Sequence, residues 1–228
     1  MKAELRRRAD PQRAPAMQAY MKSALPYRGV PAPALRRLCR ELFARHPFES
    51  FTDWRGAAVE LWRSATHREE RYAAIALTGA PLYRAFQTLE TLPMYEEFIV
   101  SGAWWDYVDE VAHRFPLLLE RHPREMKRTM RAWARDEDVW KRRGAILCQL
   151  LRKRESDLAL LWDCIEPSLA RPEFWLRKAI GWALRDLAKS RPEEVLRYVK
   201  RERRRLSPLS KREALKGMLR DGRVTAVP

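Results

Sequence analysis

The sequence has few glycines, cysteines and histidines and no long apolar run. Its 228 residues include 8 glycines, 3 cysteines and 4 histidines. Sparse glycine and β-branched residues, with no sustained alternation of polar and apolar positions, argue against a β-sheet. No apolar run approaches the roughly 20 residues that a membrane-spanning helix needs. We therefore expect an all-α protein without a membrane span.

The same scarcities exclude several chemistries. The cysteines are odd in number, widely spaced and embedded in helical patterns, which is typical of buried thiols in a reducing compartment. The sequence contains no glycine loop for phosphate, no His-Glu-x-x-His and no Cys/His zinc spacing. The charged N-terminus lacks the apolar segment of a secretory signal. We expect a soluble intracellular protein with no metal and no cofactor.

Positive charge, in contrast, is abundant. Lysines and arginines number 46 against 30 aspartates and glutamates, which gives a formal net charge of +16. An excess of this size informs about partners rather than about fold. Proteins with such an excess commonly bind nucleic acid, an anionic membrane surface or an acidic protein.

Apolar residues recur with a helical period along almost the whole chain, and prolines interrupt the pattern where helices start or stop. The predicted helices are 14–25, 32–45, 52–64, 67–77, 82–92, 94–100, 103–119, 124–134, 139–151, 158–170, 172–189, 192–205 and 211–219. Pro116 is expected to bend or end helix 103–119, and residues 221–228 to form a frayed tail. Short helices in series favour a curved α-solenoid of HEAT-like helical hairpin repeats. The absence of a linker composition predicts a single domain over residues 1–228.

Two adjacent tryptophans precede two carboxylates in the predicted helix 103–119. On a helical wheel, Trp104 lies on the apolar face, whereas Trp105 and Asp109 form an i, i+4 pair at its edge. One interpretation is that Trp105 covers a core edge and Asp109 pairs with a neighbouring arginine. The other is that the two side chains form a site where the core meets the surface.

The predicted helix 172–189 carries two stripes. Its aliphatic residues suffice to anchor it, and a second stripe alternates aromatic and cationic side chains: Trp175, Lys178, Trp182, Arg185 and Lys189. Such interleaving suits a surface that meets phosphates with cations and packs rings on sugars or bases. The alternative is a cation–π decoration of an exposed face.

Arg143 occupies the centre of the apolar face of the predicted helix 139–151. A guanidinium at such a position must extend to solvent or be paired, because burying it alone is costly. Two alternatives stay open: an ion pair with a carboxylate, or a contact with a phosphate from a groove that this face lines.

Several blocks of sequence carry a family resemblance. They are 20–22 (YMK) with 29–33 (GVPAP), 104–109 (WWDYVD), 140–147 (WKRRGAIL), 174–185 (FWLRKAIGWALR) and 206–214 (LSPLSKREA). Over residues 20–218 the chain resembles the bacterial alkylpurine DNA glycosylases built from HEAT-like repeats, the AlkD-type DNA alkylation repair enzymes. Two departures from the family pattern are Tyr107, where a smaller residue is expected, and the Val-Pro-Ala-Pro of the first loop.

The resemblance implies a helical solenoid whose concave, basic face holds duplex DNA. It also implies hydrolysis of the N-glycosidic bond of N3- and N7-alkylated purines, without a metal and without lyase chemistry, on a lesion that stays stacked. By position in the family motifs, Trp105, Asp109 and Trp182 form the site, and Arg143 contacts the DNA backbone.

The residues fit this chemistry. Alkylation at N3 or N7 makes the purine cationic and hence a good leaving group, so the difficult step is the oxocarbenium-like sugar. Asp109 can stabilise that cation and position water. The faces of Trp105 and Trp182 favour a cationic nucleotide.

The sequence therefore predicts a monofunctional alkylpurine DNA glycosylase. The predicted catalytic residues are Trp105, Asp109 and Trp182, and the predicted DNA contacts are Arg143, Lys178, Arg185, Trp175 and Tyr27. We expect a monomer in the bacterial cytoplasm, associated with the nucleoid through duplex DNA and not with a membrane. Two alternatives are a non-catalytic repeat protein that binds DNA structures through its basic face, and a protein-binding HEAT scaffold.

Overall fold

The computed structural model describes residues 1–227, and Pro228, at the end of the predicted tail, lies outside them. The described residues form helices and no strand, which confirms the all-α prediction. The α-helices are α1 Lys2–Arg7, α2 Ala14–Met21, α3 Ala32–Arg45, α4 Phe51–Arg63, α5 Arg68–Thr78, α6 Leu92–Gly102, α7 Trp105–Ala112, α8 Phe115–Arg121, α9 Pro123–Trp133, α10 Val139–Leu147, α11 Leu158–Ile165, α12 Phe174–Ala188, α13 Pro192–Arg201 and α14 Pro208–Arg220. Among residues 1–227, no helix is both long enough and apolar enough to span a membrane.

The predicted bounds of α3, α4, α5 and α9 hold to within one residue. Helix α3 has the predicted bounds, with Pro33 in its first turn. The predicted helix 103–119 is wrong in one respect, because it is two helices: α7 ends at Ala112 and α8 begins at Phe115, with a proline in its first turn. The predicted helix 139–151 ends at Leu147. The predicted helix 82–92 is replaced by two 3-10 helices, Pro81–Phe86 and Leu89–Thr91.

The chain divides into two compact units, Met1–Met94 and the part from Tyr95 onwards. The single domain expected over residues 1–228 stays a prediction. In the first unit, α3 and α4 pack on α5, and the core around α3 includes the buried Leu5, Leu35 and Cys39. Burial raises the pKa of the Cys39 thiol to about 12.

A buried carboxylate holds the loop before α3. Glu69 is fully buried and accepts backbone N–H groups of Arg28, Gly29 and Val30 at 2.9 to 3.1 Å. Gly29 has a φ of 83°, and a Cβ there would overlap the backbone of Asp10. Only glycine therefore fits at this turn.

In the second unit, α10 lies between α7 and α12. The inner face of α7 consists of Tyr107, Val108 and Val111, which are all buried. The cap of α10 is Asp138, whose carboxylate accepts from the backbone N–H groups of Trp140 and Lys141 at 2.8 and 2.9 Å. These hydrogen bonds fix the start of α10, which packs on both α7 and α12.

Helices α12 and α14 approach each other at Gly181. A Cβ at this position would overlap that of Glu213 and lie 3.0 Å from the backbone oxygen of Ser210. The Ser210 hydroxyl donates to the backbone oxygen of Arg177 at 2.9 Å. Ser207 caps α14 by accepting from the Ser210 N–H at 3.0 Å. The helices are thereby fixed in register.

Candidate active site

Trp105 and Asp109 occupy the first turns of α7. Trp104 precedes the helix in an extended conformation, and Ala103 takes a left-handed φ of 45° that reverses the chain after α6. Trp105 is half-buried and Asp109 is 8% exposed. The two side chains are one turn apart on the same side of the helix, as the sequence indicates.

Asp109 forms a two-pronged ion pair with Arg143 of α10. Arg143 Nε lies 2.7 Å from Asp109 Oδ1, and Nη2 lies 2.8 Å from Oδ2. Arg143 Nη1 donates to the backbone oxygen of Trp175 at 2.6 Å. Arg143 is only 3% exposed. Of the two alternatives for this arginine, the ion pair with a carboxylate is therefore present, and a phosphate contact stays a prediction.

The ionisation of Asp109 reflects two opposed effects. Burial raises the pKa of its carboxyl group above the ordinary value, and the charge and hydrogen bonds of Arg143 act against that rise. Asp106 raises the pKa further through its negative charge, and His113 lowers it. Arg143 is thus the main group that favours the carboxylate form of Asp109.

Four indole rings form a tryptophan cluster: Trp104, Trp105, Trp140 and Trp175. The ring of Trp175 stacks on that of Trp105, with centroids 6.0 Å apart and planes at 18°. Its edge-to-face partner is Trp104 at 5.7 Å, and Trp140 lies at 6.2 Å. Trp104 is half-buried, so it belongs to this cluster rather than to the interior core. Trp175 touches Trp105 through its ring and Arg143 through its backbone.

Trp182 lies farther along α12. It is half-buried and follows Trp175 by seven residues, which is about two helical turns, or about 10 Å. Within the tryptophan cluster the stacked rings are those of Trp105 and Trp175, and Trp182 lies outside this cluster. The structure therefore brings Trp105, Asp109, Arg143 and Trp175 together, and Trp182 occupies the next position of the aromatic stripe.

The two cations that flank Trp182 share one carboxylate. Lys178 Nζ lies 2.7 Å from Glu213 Oε1, and Arg185 Nη1 lies 2.6 Å from Glu213 Oε2. Burial raises the pKa of Glu213, but the hydrogen bond and charge of Lys178 and the charge of Arg185 outweigh it, so the pKa is lowered. No role for Glu213 follows from the sequence, although it lies in the block 206–214.

Tyr27 belongs to the first unit, in the loop before α3. It is 6% exposed, and its hydroxyl lies 2.7 Å from that of Tyr72. The guanidinium of Arg68 lies 5.8 Å from its ring centroid. These contacts give Tyr27 a packing role, and the predicted contact with DNA is untested. Among residues 1–227, no three His, Cys, Asp or Glu side chains group as metal ligands would.

Comparisons with known proteins agree with these features. A model of the DNA alkylation repair enzyme family matches residues 1–218. The chain is similar to a solved structure described as a predicted DNA alkylation repair enzyme from Enterococcus faecalis, with 30% identity and a TM-score of 0.81 over 92% of this chain and 96% of that one. This similarity confirms the predicted α-solenoid class.

A second solved structure is the Pseudomonas fluorescens alkylpurine DNA glycosylase AlkC bound to DNA with an abasic site analog. It has 17% identity and a TM-score of 0.46 over 82% of this chain and 63% of that one. No curated protein matches the chain. On the match of the family model, this chain belongs to the DNA alkylation repair enzyme family.

Proposed function

We propose that the protein is a monofunctional DNA glycosylase that hydrolyses the N-glycosidic bond of N3- and N7-alkylated purines in duplex DNA. The observation that carries this proposal is the buried Asp109 carboxylate, held in a fixed orientation by Arg143 one turn from the half-buried ring of Trp105. A carboxylate and an indole face both stabilise a cationic nucleotide, through charge and through π density.

The reaction needs little general-acid help. An alkylated purine is already positively charged, so it departs with the bonding electron pair as a neutral base. The sugar that remains is oxocarbenium-like, and Asp109 stabilises its positive charge. Water then adds to the anomeric carbon and releases a proton, for which the same carboxylate is the acceptor in reach.

Arg143 positions Asp109 for this step. Its two parallel hydrogen bonds fix both carboxylate oxygens, so the side chain needs no rotation when the sugar charge develops. A DNA phosphate that accepts from the N–H groups of Arg143 would share its positive charge. Asp109 would then keep more of its negative charge for the sugar.

The aromatic faces select the charged lesion. Trp105, supported by its stack on Trp175, and Trp182 present negative π density that favours a cationic base over a neutral one. This arrangement of ring faces and one carboxylate is consistent with a lesion that stays in the helix. The predicted monomeric state stays a prediction.

The direct test is incubation with N-methylated duplex DNA, followed by chromatography of the released bases. We expect free 3-methyladenine or 7-methylguanine from the wild-type protein. Asp109→Asn should lower the rate by about 10²- to 10³-fold, as loss of an electrostatic stabiliser does, with DNA affinity near that of the wild type.

The matched control is Asp163→Asn. Asp163 also pairs with an arginine, since Arg131 Nε lies 2.7 Å from its Oδ2, but both side chains are 41% exposed. It should release base at the wild-type rate. Full activity in Asp109→Asn would remove Asp109 from the mechanism.

A second candidate is a non-catalytic protein that binds DNA structures. It is favoured by one observation: both Asp109 oxygens are taken by Arg143, as in a purely structural ion pair. Such a protein would bind DNA with steep salt dependence and release no base. A protein-binding scaffold would instead show little affinity for DNA at moderate salt.

A further inference from the structure

Glu213 bridges two cations of the aromatic–cationic stripe of α12. Its two oxygens accept from Lys178 and Arg185 at 2.7 and 2.6 Å, and its side chain is 15% exposed. Lys178 lies four residues before Trp182 and Arg185 three residues after it, so the carboxylate spans the turn that carries this tryptophan.

The close approach of α12 and α14 fixes this bridge. Gly181 has no side chain to hold α14 away, and a Cβ there would overlap that of Glu213. The Ser210–Arg177 hydrogen bond pins the same crossing. The packing of α14 on α12 therefore holds Glu213 beside Lys178 and Arg185.

The bridge reduces the charge that the stripe offers to phosphates. Lys178 and Arg185 each carry one positive charge, and an ionised Glu213 leaves a net charge of one. Beside Arg185, between α12 and α14, lies a groove of about 550 Å³ that is also lined by Lys189, Lys216 and Arg220. Without Glu213, Lys178 and Arg185 would both be free for phosphates, Arg185 at this groove.

We propose that Glu213 limits the affinity of the protein for undamaged DNA by neutralising one of the two cations around Trp182. Attraction to phosphates is independent of sequence and of damage, and undamaged sites outnumber lesions greatly. A repair protein that held every phosphate firmly would dwell on undamaged DNA. The proposal rests on the proposed function, since it assigns Lys178 and Arg185 to DNA.

The test is the salt dependence of binding to an undamaged duplex for Glu213→Gln. Glutamine keeps the size and one acceptor oxygen but removes the charge. One more neutralised phosphate should steepen the slope of log K against log salt by about 0.9 and tighten binding roughly five- to tenfold at 0.1 M salt. Affinity for a methylated duplex should rise by the same factor, because a phosphate contact does not depend on damage.

Glu202→Gln is the matched control. Glu202 also bridges two cations, since its oxygens lie 2.9 Å from Arg201 Nε and 2.9 Å from Arg205 Nη1, but it lies outside the stripe. Both variants change the net charge by the same amount. A steeper slope in Glu213→Gln than in Glu202→Gln supports the proposal, and equal slopes overturn it.

Two further measurements keep the outcome clear. A thermal melt of each variant shows that it is folded at the binding temperature. Adding Lys178→Gln to Glu213→Gln should return the slope to the wild-type value, and a slope that stays steep contradicts the proposal.

Base release distinguishes failure of the proposed function from failure of the role of Glu213. If the wild-type protein releases no base but the variants show the expected slopes, the glycosylase is refuted and the role of Glu213 is retained.

Discussion

Among single residues, Arg143 is the one whose polar contacts join three helices of the candidate site. It contacts Asp109 with two nitrogens and the Trp175 backbone with the third. It therefore couples α7, α10 and α12 through one buried side chain. Removing either member of such a pair leaves an uncompensated charge that is largely buried.

The pH dependence of base release should report Asp109. Burial raises its pKa, and the carboxylate is the active form, so the rate should fall with acidification at a higher pH than for an exposed aspartate. Arg143→Gln removes the group that opposes the rise, so the acid limb should move to still higher pH. The measurement is kcat/KM against pH for both proteins, and identical profiles would count against Asp109 as the titrating group.

Arg143→Gln should also make stability depend on pH. Breaking the buried pair costs about 3–5 kcal/mol when Asp109 is charged. A raised folded-state pKa means that the folded protein binds the proton more tightly, so the loss is relieved at low pH and grows as pH rises through that pKa. Chemical denaturation at pH 5 and pH 7.5 should show the larger loss at pH 7.5, and a loss that is the same at both would contradict it.

At the scale of elements, the crossing of α12 and α14 sets the geometry around Trp182. The close contact that brings Glu213 beside Lys178 and Arg185 is possible because Gly181 has no side chain. Helix packing at such a crossing tolerates no added volume without a shift of one helix.

Gly181→Ala should lower the free energy of unfolding by about 1–3 kcal/mol, as overpacking does. It should also weaken the bridge from Glu213, because the helices must separate. The contrast is Gly56→Ala in α4, where a Cβ meets nothing within 4 Å. There alanine should stabilise the protein by about 0.5–1 kcal/mol, since glycine is unfavourable inside a helix. Urea denaturation checks both, and destabilisation by Gly56→Ala would refute the comparison.

At the scale of the whole molecule, charge is the dominant property. The formal net charge of +16 predicts that affinity for undamaged duplex falls linearly on a plot of log K against log salt. Fluorescence anisotropy at salt concentrations between about 50 and 200 mM would measure this dependence. Affinity that does not change with salt would point to a partner other than DNA.

The sequence by itself determined the helical class and much of the site's layout. Helical period and proline positions follow from local sterics, so α3 has its predicted bounds, and the i, i+4 pair Trp105 and Asp109 shares one side of α7. The break that Pro116 predicts in helix 103–119 is present between α7 and α8, but it lies just before the proline, which occupies the first turn of α8.

Only the tertiary structure decided which charges meet. The partner of Arg143 lies 34 residues away, and Glu213 is 35 residues from Lys178. No local pattern encodes such pairs, because they depend on which faces of α7, α10, α12 and α14 pack together. The contact of Tyr27 with Tyr72 likewise comes from packing, and the predicted contact of Tyr27 with DNA stays a prediction. Periodicity orders side chains along one helix, and packing between helices assigns their partners.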